Sequence, residues 1–328
     1  MKRKMALNIG KGVAWGALAA GASWLVYSHF LVDHDMALPP PLGAEIKHWT
    51  DSEAGTVYYY QDTRGKGRPL VLVHSINAAA SAYEMQPIFN HYRGNRPVYA
   101  LDLPGFGFSE RDDRHYSPQL YVNIIIAFLE RIGGSAADVV ALSLGAEFAG
   151  TVAADRPDLI HSLVLISPTG LSQRRNQPRP QQAQENDQSD GLLRFFRFPL
   201  WSQPLYDLLV TRPVLRWFLQ QSFAGPVDEE LVEYDYRAAH RPGARFAPFY
   251  FISGKLFSPR IRQEAYTRIE RPVLVIYDQD PNITFDTLPD LLLNHPNWQA
   301  VRIPPTCGLP HFEQMPAMAQ ALNDFWRV

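Results

Sequence analysis

The sequence has one cysteine, Cys307, among 328 residues. A single cysteine cannot form an internal disulfide bond or a cysteine-based zinc cluster, so the fold must be stabilised by an apolar core. The chain also has no excess of one charge, because 31 basic residues are balanced by 33 acidic ones. Without a strong positive field, we predict that nucleic acid is not a partner.

The sequence also has no fingerprint of a metal, nucleotide or flavin site. Gly105 and Gly107 form a short glycine pair, but the third glycine that opens the helix of a dinucleotide-binding motif is missing. We therefore expect no cofactor. The remaining composition, 46% hydrophobic and 20% charged, is that of a globular protein with one large domain or two modest ones.

The N-terminal segment contains an uncharged run from Gly12 to Val32. As a helix at ~1.5 Å per residue, this run would be about 31 Å long, which matches the apolar thickness of a bilayer. Asp33 and Asp35 follow the run. Basic residues precede it at Lys2, Arg3, Lys4 and Lys11. By the positive-inside rule we predict a single-pass membrane protein whose folded domain lies outside the cytoplasm, with the lipid bilayer as a partner of this helix. A signal peptide cleaved near Ala20 to Ala22 is the alternative.

After a proline-rich spacer, short β-branched runs alternate with helical patterns, which is typical of an α/β fold with a mostly parallel sheet. The predicted strands are Gly55 to Tyr60, Leu70 to His74, Val98 to Leu101, Asp138 to Leu142, Ser162 to Ile166, Val273 to Tyr277 and Ala300 to Ile303. The predicted helices are Ala79 to Tyr92, Pro118 to Arg131, Leu144 to Ala154, Thr287 to Leu293 and Met315 to Trp326.

The alternation of strands and helices stops after Ile166 and resumes at Val273. Gln173 to Asp190 is polar and predicts a surface segment, whereas the following residues are rich in aromatics at helical spacing. We therefore predict an inserted helical cap, with some aromatic side chains lining a ligand cleft for a small apolar substrate. The predicted units are an anchor and spacer (1–40), a first core part (41–170), the cap (171–266) and a second core part (267–328).

A serine follows one predicted strand and precedes a helix. Val139 to Gly145 is a context in which a sharp turn exposes the serine hydroxyl, and the helix N-terminus favours developing negative charge. The Ala-x-Ser-x-Gly sequence around Ser143 resembles the Gly-x-Ser-x-Gly turn of the α/β-hydrolase superfamily, with Ala141 replacing the first glycine. The resemblance implies the α/β-hydrolase fold and Ser143 as the nucleophile.

An upstream motif is similar to the same superfamily. Pro69 to Ser75 resembles the strand that ends in His-Gly and leads into the oxyanion hole, with Ser75 in place of the glycine. The resemblance implies that the backbone N–H groups of Ile76 and Leu144 hold the oxyanion. It also implies that His74 supports this loop.

Two further motifs agree with the resemblance in their order along the chain. Asp102 to Ser109 is similar to the Asp-x-Pro-Gly-x-Gly-x-Ser turn of the superfamily. Tyr277 to Pro281 matches the late Gly-x-x-Asp pattern, except that Tyr277 replaces the glycine. The resemblance implies that Asp280 orients the catalytic histidine, and Asp278 is the alternative.

The catalytic histidine is missing from its usual position. The superfamily typically ends in Gly-His-x-Pro-His-x-Glu, whereas this chain reads Cys307 to Glu313 with Gly308 where the first histidine is expected. A serine hydroxyl needs a base within about 3 Å to become a strong nucleophile. His311 is the provisional base, and His240 and His295 are more remote alternatives.

We predict a membrane-anchored, carboxylesterase-like serine hydrolase that cleaves an ester or related carbonyl compound. Ser143 would form the acyl-enzyme, with His311 as base and Asp280 orienting it. Serine at this position argues against the haloalkane dehalogenase and epoxide hydrolase branches, which carry aspartate there. The alternative is a catalytically degenerate protein of the same fold that binds a ligand or a partner. The sequence predicts no oligomeric state.

Overall fold

The structure is a computed structural model that describes residues 19–172 and 190–327. Eight strands of this described part form one sheet in the order β1-β2-β4-β3-β5-β6-β7-β8. Strands β3 to β8 are parallel, whereas β2 runs antiparallel to both β1 and β4. The strands are β1 (Glu45–Asp51), β2 (Gly55–Asp62), β3 (Leu70–Val73), β4 (Val98–Leu101), β5 (Ala137–Leu142), β6 (Ile160–Ile166), β7 (Val273–Tyr277) and β8 (Trp298–Arg302).

Helices cover both faces of the sheet. Along β3, Leu70 and Leu72 belong to one apolar core, and Val71 and Val73 belong to the other. The described helices include α2 (Gln86–Tyr92), α3 (Pro118–Ile132), α4 (Gly145–Asp155), α6 (Ser202–Leu209), α7 (Arg212–Gln220), α8 (Glu229–Ala239), α9 (Phe246–Ile252), α10 (Ile261–Glu264), α11 (Leu288–Asn294), α12 (Pro310–Glu313) and α13 (Met315–Trp326). Two more helical stretches are α1 (residues 19–31) and α5 (residues 190–196).

The two cores explain the sequence of the central strands. Phe128 of α3 and Phe148 of α4 pack in one core, and Phe89 of α2 and Phe325 of α13 pack in the other. Strands β3 and β5 are buried along their whole length, which requires continuous apolar runs rather than alternation. The predicted α/β-hydrolase fold, with a mostly parallel sheet and helices on both faces, is confirmed.

The observed elements include one strand that the sequence does not predict, one helix that begins differently, and strand bounds that shift by one or two residues. β1 was not predicted, because its sequence EIKHWTD is polar and the strand lies exposed at the sheet edge. The predicted helix from Ala79 begins instead with a short 3₁₀ turn, Ala82–Met85, followed by α2. The predicted strand that begins at Ala300 begins at Trp298.

The described residues between β6 and β7 form helices α5 to α10 and the 3₁₀ turn Tyr266–Arg268, with no strand. The polar segment at 173–189 lies outside the described residues. The division of the chain at residues 40, 170 and 266 stays a prediction.

The predicted membrane localisation is wrong. In the chain from residue 19 to 172 and from 190 to 327, no helix is both long and apolar enough to cross a membrane. The first part of the predicted span, residues 12–18, lies outside the described residues. The described part of α1 contacts the helical insertion, because Trp24 donates a hydrogen bond to the Pro204 carbonyl at 2.8 Å and the buried Ser28 hydroxyl donates to Asp207 Oδ2 at 2.5 Å.

Candidate active site

Ser143 lies at the sharp turn between β5 and α4. Its φ angle is 51°, a left-handed value that costs free energy in a residue with a side chain. The Ser143 N–H donates to the Ile166 carbonyl at 2.9 Å, which fixes the turn against the next strand. The strained turn therefore holds the half-buried serine at the carboxyl edge of the sheet.

Gly145 allows the first turn of α4 to pass close to the end of β3. A Cβ atom at this position would lie only 2.4 Å from the His74 carbonyl oxygen. The final glycine of the Ser143 motif is thus required, because a side chain at this position would collide with the backbone of His74. This approach brings the loop after β3 beside the serine.

A cavity of about 450 Å³ opens at Ser143. It brings together four of the residues that the sequence singles out, namely Ser143, Ile76, Leu144 and Asp280. Gly308 also lines it. The other apolar lining side chains are Leu142, Leu219, Phe251, Phe257, Ile283 and Leu309.

The backbone of Ile76 and Leu144 can hold an oxyanion. Both residues are buried, and within the described part of the chain neither amide N–H has a hydrogen-bond acceptor. Unpaired amides beside a nucleophile can stabilise the negative charge of a tetrahedral intermediate. His74 supports their loop, because its Nε2 accepts a hydrogen bond from the Leu103 N–H and its Nδ1 contacts the Ser75 carbonyl oxygen.

Glu84 is a cavity residue that sequence reasoning missed. Its carboxylate accepts hydrogen bonds from the Ser75 N–H at 2.8 Å, the Ser75 hydroxyl at 2.9 Å and Asn77 Nδ2 at 2.7 Å. Burial raises the pKa of Glu84 to about 7, although these hydrogen bonds act in the opposite direction. Glu84 therefore holds the loop that carries Ile76. No superfamily motif includes it, and an isolated glutamate in a predicted helix gave no signal.

Asp280 lines the cavity with one carboxylate oxygen unused. Oδ1 accepts from the N–H groups of Asn282 and Ile283, at 2.8 and 3.0 Å, whereas Oδ2 has no hydrogen bond within the described residues. Burial raises the pKa of this carboxyl. A Cβ atom at Gly308 would lie 3.1 Å from Oδ2. Position 308 is therefore where a histidine side chain would meet this acid.

Asp278, the alternative acid, forms hydrogen bonds outside the Ser143 cavity. It accepts from Arg302 Nε at 2.6 Å and from the Thr306 N–H at 3.0 Å. Burial alone would raise its pKa, but these hydrogen bonds leave the pKa below its usual value. Asp278 does not line the Ser143 cavity.

His311 is buried outside the cavity lining. Its Nε2 donates to the Glu84 carbonyl oxygen at 2.7 Å, and its Nδ1 has no partner among the described residues. Burial lowers the pKa of His311 to about 4, so the ring is neutral at physiological pH. His240 and His295 are also absent from the lining. Within the described residues, the cavity contains no histidine.

In residues 19–172 and 190–327, no group of three or more His, Cys, Asp or Glu side chains is arranged to hold a metal ion. The expected absence of a cofactor stays a prediction.

Comparison with known proteins finds a family match over most of the chain. Residues 70–321 match the model of the alpha/beta hydrolase family. An esterase from Mycobacterium tuberculosis is 41% identical over 81 residues, which cover 24% of this chain and 27% of that protein. The (E)-2-((N-methylformamido)methylene)succinate hydrolase of Acinetobacter baylyi is 25% identical over 230 residues, covering 70% of this chain and 78% of that protein.

The chain spans less than half the length of the first curated relatives it matches. The crystal structure of a membrane phospholipase A, a bacterial virulence factor, superposes with a TM-score of 0.66 at 19% identity, covering 100% of this chain and 98% of that one. At this identity the likeness shows the fold alone. Curated relatives that the chain matches are hydrolases by name. With a family match over most of its length and the Ser143 turn in place, the chain belongs to the alpha/beta hydrolase family.

Proposed function

We propose that this protein is a serine hydrolase that cleaves an ester or a related carbonyl compound through an acyl-enzyme on Ser143. The observation that carries the proposal is the strained turn at Ser143, which lies over a cavity lined by two residues with unpaired amides, Ile76 and Leu144. A surface serine that merely begins a helix needs neither the left-handed backbone nor the cavity.

In the proposed reaction, Ser143 Oγ attacks the substrate carbonyl carbon and the carbonyl oxygen becomes an oxyanion. The N–H groups of Ile76 and Leu144 donate hydrogen bonds to it, and one such donor is worth about 3 kcal/mol of transition-state stabilisation. Collapse of this intermediate releases the alcohol and leaves the acyl group on Ser143. Water then attacks the ester carbonyl and restores the serine.

The proton of Ser143 needs an acceptor. His311 is the candidate from the sequence, but its Nε2 is committed to the Glu84 carbonyl and the ring does not line the cavity. Asp280 does line it, with Oδ2 turned to position 308. We therefore assign Asp280 to hold the group that accepts the proton, and we assign His311 a supporting role.

The lining favours a substrate with an apolar portion, because Leu219, Phe251 and Phe257 face the cavity. The succinate derivative named for the Acinetobacter relative is a dicarboxylate. In this chain the described lining contains Glu84 and Asp280 but no lysine or arginine, so we do not extend a dicarboxylate substrate to it.

Fluorophosphonate labelling of the full chain tests the proposal. We expect wild type to be labelled at Ser143 and Ser143→Ala to remain unlabelled, with peptide mass spectrometry locating the adduct. Since position 308 lacks an imidazole, each protein is labelled with and without added imidazole. A folded wild type that is unlabelled under both conditions would overturn the hydrolase proposal.

A second function is favoured by one observation, the glycine that faces Asp280. A protein that has lost its catalytic base can retain the cavity for binding a small ligand without covalent turnover. Under this alternative, Ser143 is a remnant of the family turn.

A further inference from the structure

The surroundings of Gly308 contain an unused acceptor. Asp280 Oδ2 has no hydrogen-bond donor among the described residues, whereas Oδ1 has two. Ser222 also borders this position, with its Oγ 3.6 Å from the position of a Cβ at Gly308. Holding a carboxylate oxygen in a partly buried cavity wall costs free energy unless a hydrogen-bond donor contacts it. This wall therefore suits a ligand group that donates a hydrogen bond.

The charge of the cavity points to the same kind of ligand. Glu84 and Asp280 are the ionisable side chains in the described lining, and both are acidic. Glu84 already has three donors, two of them from Ser75. Asp280 Oδ2 is thus the carboxylate oxygen of the described lining that remains for a ligand, and the N–H of a weakly basic nitrogen group is a donor that satisfies it well.

We propose that the substrate itself supplies the missing base: the cavity accepts an ester or related carbonyl compound that carries a weakly basic nitrogen, held beside Gly308 by Asp280 Oδ2. This inference rests on the proposed hydrolase function. It assigns Asp280 and Gly308 as the residues that determine substrate specificity. An imidazole suits the role, because one ring nitrogen carries the N–H that donates to Asp280 Oδ2. The other ring nitrogen is unprotonated near neutral pH and can accept the Ser143 proton.

In the proposed reaction, the substrate nitrogen accepts and returns the transferred proton. As Ser143 Oγ bonds to the carbonyl carbon, its proton passes to the nitrogen lone pair and the carbonyl π electrons move to the oxyanion. Asp280 stabilises the resulting cation. When the carbonyl re-forms, the alkoxide leaves with the proton. The nitrogen must lie on the acyl portion, because it has to remain in the cavity after the alcohol leaves. It then takes a proton from the attacking water and returns it to Ser143 Oγ.

Two matched substrates test the inference on the full chain. They are the ethyl esters of 3-(imidazol-4-yl)propionic acid and 3-phenylpropionic acid, which are similar in size and differ in the basic nitrogen. We expect wild type to hydrolyse the imidazole ester at least about tenfold faster in kcat/KM, a difference typical of one specific polar contact. Ser143→Ala provides the background rate of each ester.

Asp280→Asn is the diagnostic variant, because it keeps the shape of the side chain and removes its charge. We expect this variant to lose the preference for the imidazole ester, with circular dichroism checking that it is folded. Gly308→Ala gives a second measurement, since its methyl group enters the same space. Equal rates for the two esters, or a preference that persists in Asp280→Asn, would overturn the inference.

Free imidazole separates this inference from the hydrolase proposal. We expect it to accelerate fluorophosphonate labelling of wild type saturably, and to do so less in Asp280→Asn. Labelling that imidazole leaves unchanged contradicts the nitrogen site but retains the serine hydrolase. No labelling with or without imidazole contradicts the serine hydrolase, and the inference falls with it.

Discussion

The Nε2 atom of His311 donates a hydrogen bond to the carbonyl oxygen of Glu84, 2.7 Å away. The side chain of Glu84 in turn accepts hydrogen bonds from Ser75. His311 is therefore linked through one residue to the loop that presents the Ile76 amide. A histidine in this position can influence reaction at Ser143 without accepting its proton.

His311→Gln tests whether His311 supports the loop or acts as the general base. Glutamine can still donate a hydrogen bond to the Glu84 carbonyl, but it cannot accept the Ser143 proton. If His311 is a support, the rate of fluorophosphonate labelling falls by less than about tenfold. Loss of a general base costs roughly 10²–10⁴-fold. His311→Ala is the comparison variant, and we expect it to lower the free energy of unfolding by about 1–3 kcal/mol because it removes a hydrogen bond from a buried carbonyl. A drop in labelling of a hundredfold in folded His311→Gln would contradict the supporting role.

Glu84 predicts a specific pH dependence of stability. Its pKa is about 7 in the folded protein, above the ordinary value of 4.5, so the folded state binds the proton more tightly. The stabilisation is fully present below pH 4.5 and is lost as the pH rises through about 7. The shift corresponds to about 3 kcal/mol.

Urea unfolding at pH 5 and pH 8 measures this contribution. We expect Glu84→Gln to reduce the loss of stability between the two pH values, because the amide cannot ionise. The exposed Glu53→Gln is the matched control and should behave like wild type. Identical pH dependence in Glu84→Gln and wild type would show that this carboxyl does not titrate in that range.

Gly145→Ala should distort the site by overpacking. The added methyl group would lie 2.4 Å from the His74 carbonyl oxygen, which is a backbone atom that cannot rotate away. We expect a loss of about 1–3 kcal/mol in the free energy of unfolding and slower labelling of Ser143. Gly191→Ala is the control, because no heavy atom lies within 4 Å of its added Cβ. Equal stability of the two variants would contradict the close approach.

Gly308→His tests whether a histidine at the family position completes the site. The Cβ would meet Asp280 Oδ2 at 3.1 Å, so the carboxylate must shift by a few tenths of an ångström. If the protein is a degenerate family member, this variant gains hydrolysis of simple esters that wild type does not cleave. Gly308→Ala adds the same Cβ without the imidazole, so a gain shared by both variants would rule out general-base catalysis as its cause.

Asp207 holds the described N-terminal residues against the helical insertion. It is buried and accepts hydrogen bonds from Ser28 and Gln203, while His34 Nε2 lies 2.9 Å away. We expect Asp207→Ala to leave these groups unpaired and to increase proteolysis near residues 30–36. Ser28→Ala removes one of the contacts and should have a smaller effect. Unchanged cleavage in Asp207→Ala would contradict this docking.

The sequence predicted the parts of the molecule that local patterns encode. The apolar runs of β3 and β5 identify buried parallel strands, and the residues around Ser143 identify the strained turn. The missing histidine was also visible, since Gly308 stands at a fixed distance from Pro310. These features depend on neighbouring residues, so one sequence is enough to find them.

Features that depend on distant contacts were not predictable. Glu84 accepts a hydrogen bond from Ser75 because the loop after β3 contacts the 3₁₀ turn at Ala82–Met85. The run around Ser28 matched a membrane span by hydropathy, but hydropathy contains no information about Asp207, the partner that buries this serine. β1 gave no signal because an exposed edge strand needs no apolar face.

The amides of Ile76 and Leu144 belong to loops that follow β3 and β5, strands that are far apart in sequence and adjacent in the sheet. Their approach depends on non-local strand pairing, which is slow to form because the intervening chain must first be ordered. A collapsed folding intermediate with native helices but unpaired central strands would therefore have no oxyanion hole. During refolding, Ser143 should therefore become reactive only when β3 and β5 have paired. The rate at which this reactivity appears would measure the rate of that pairing.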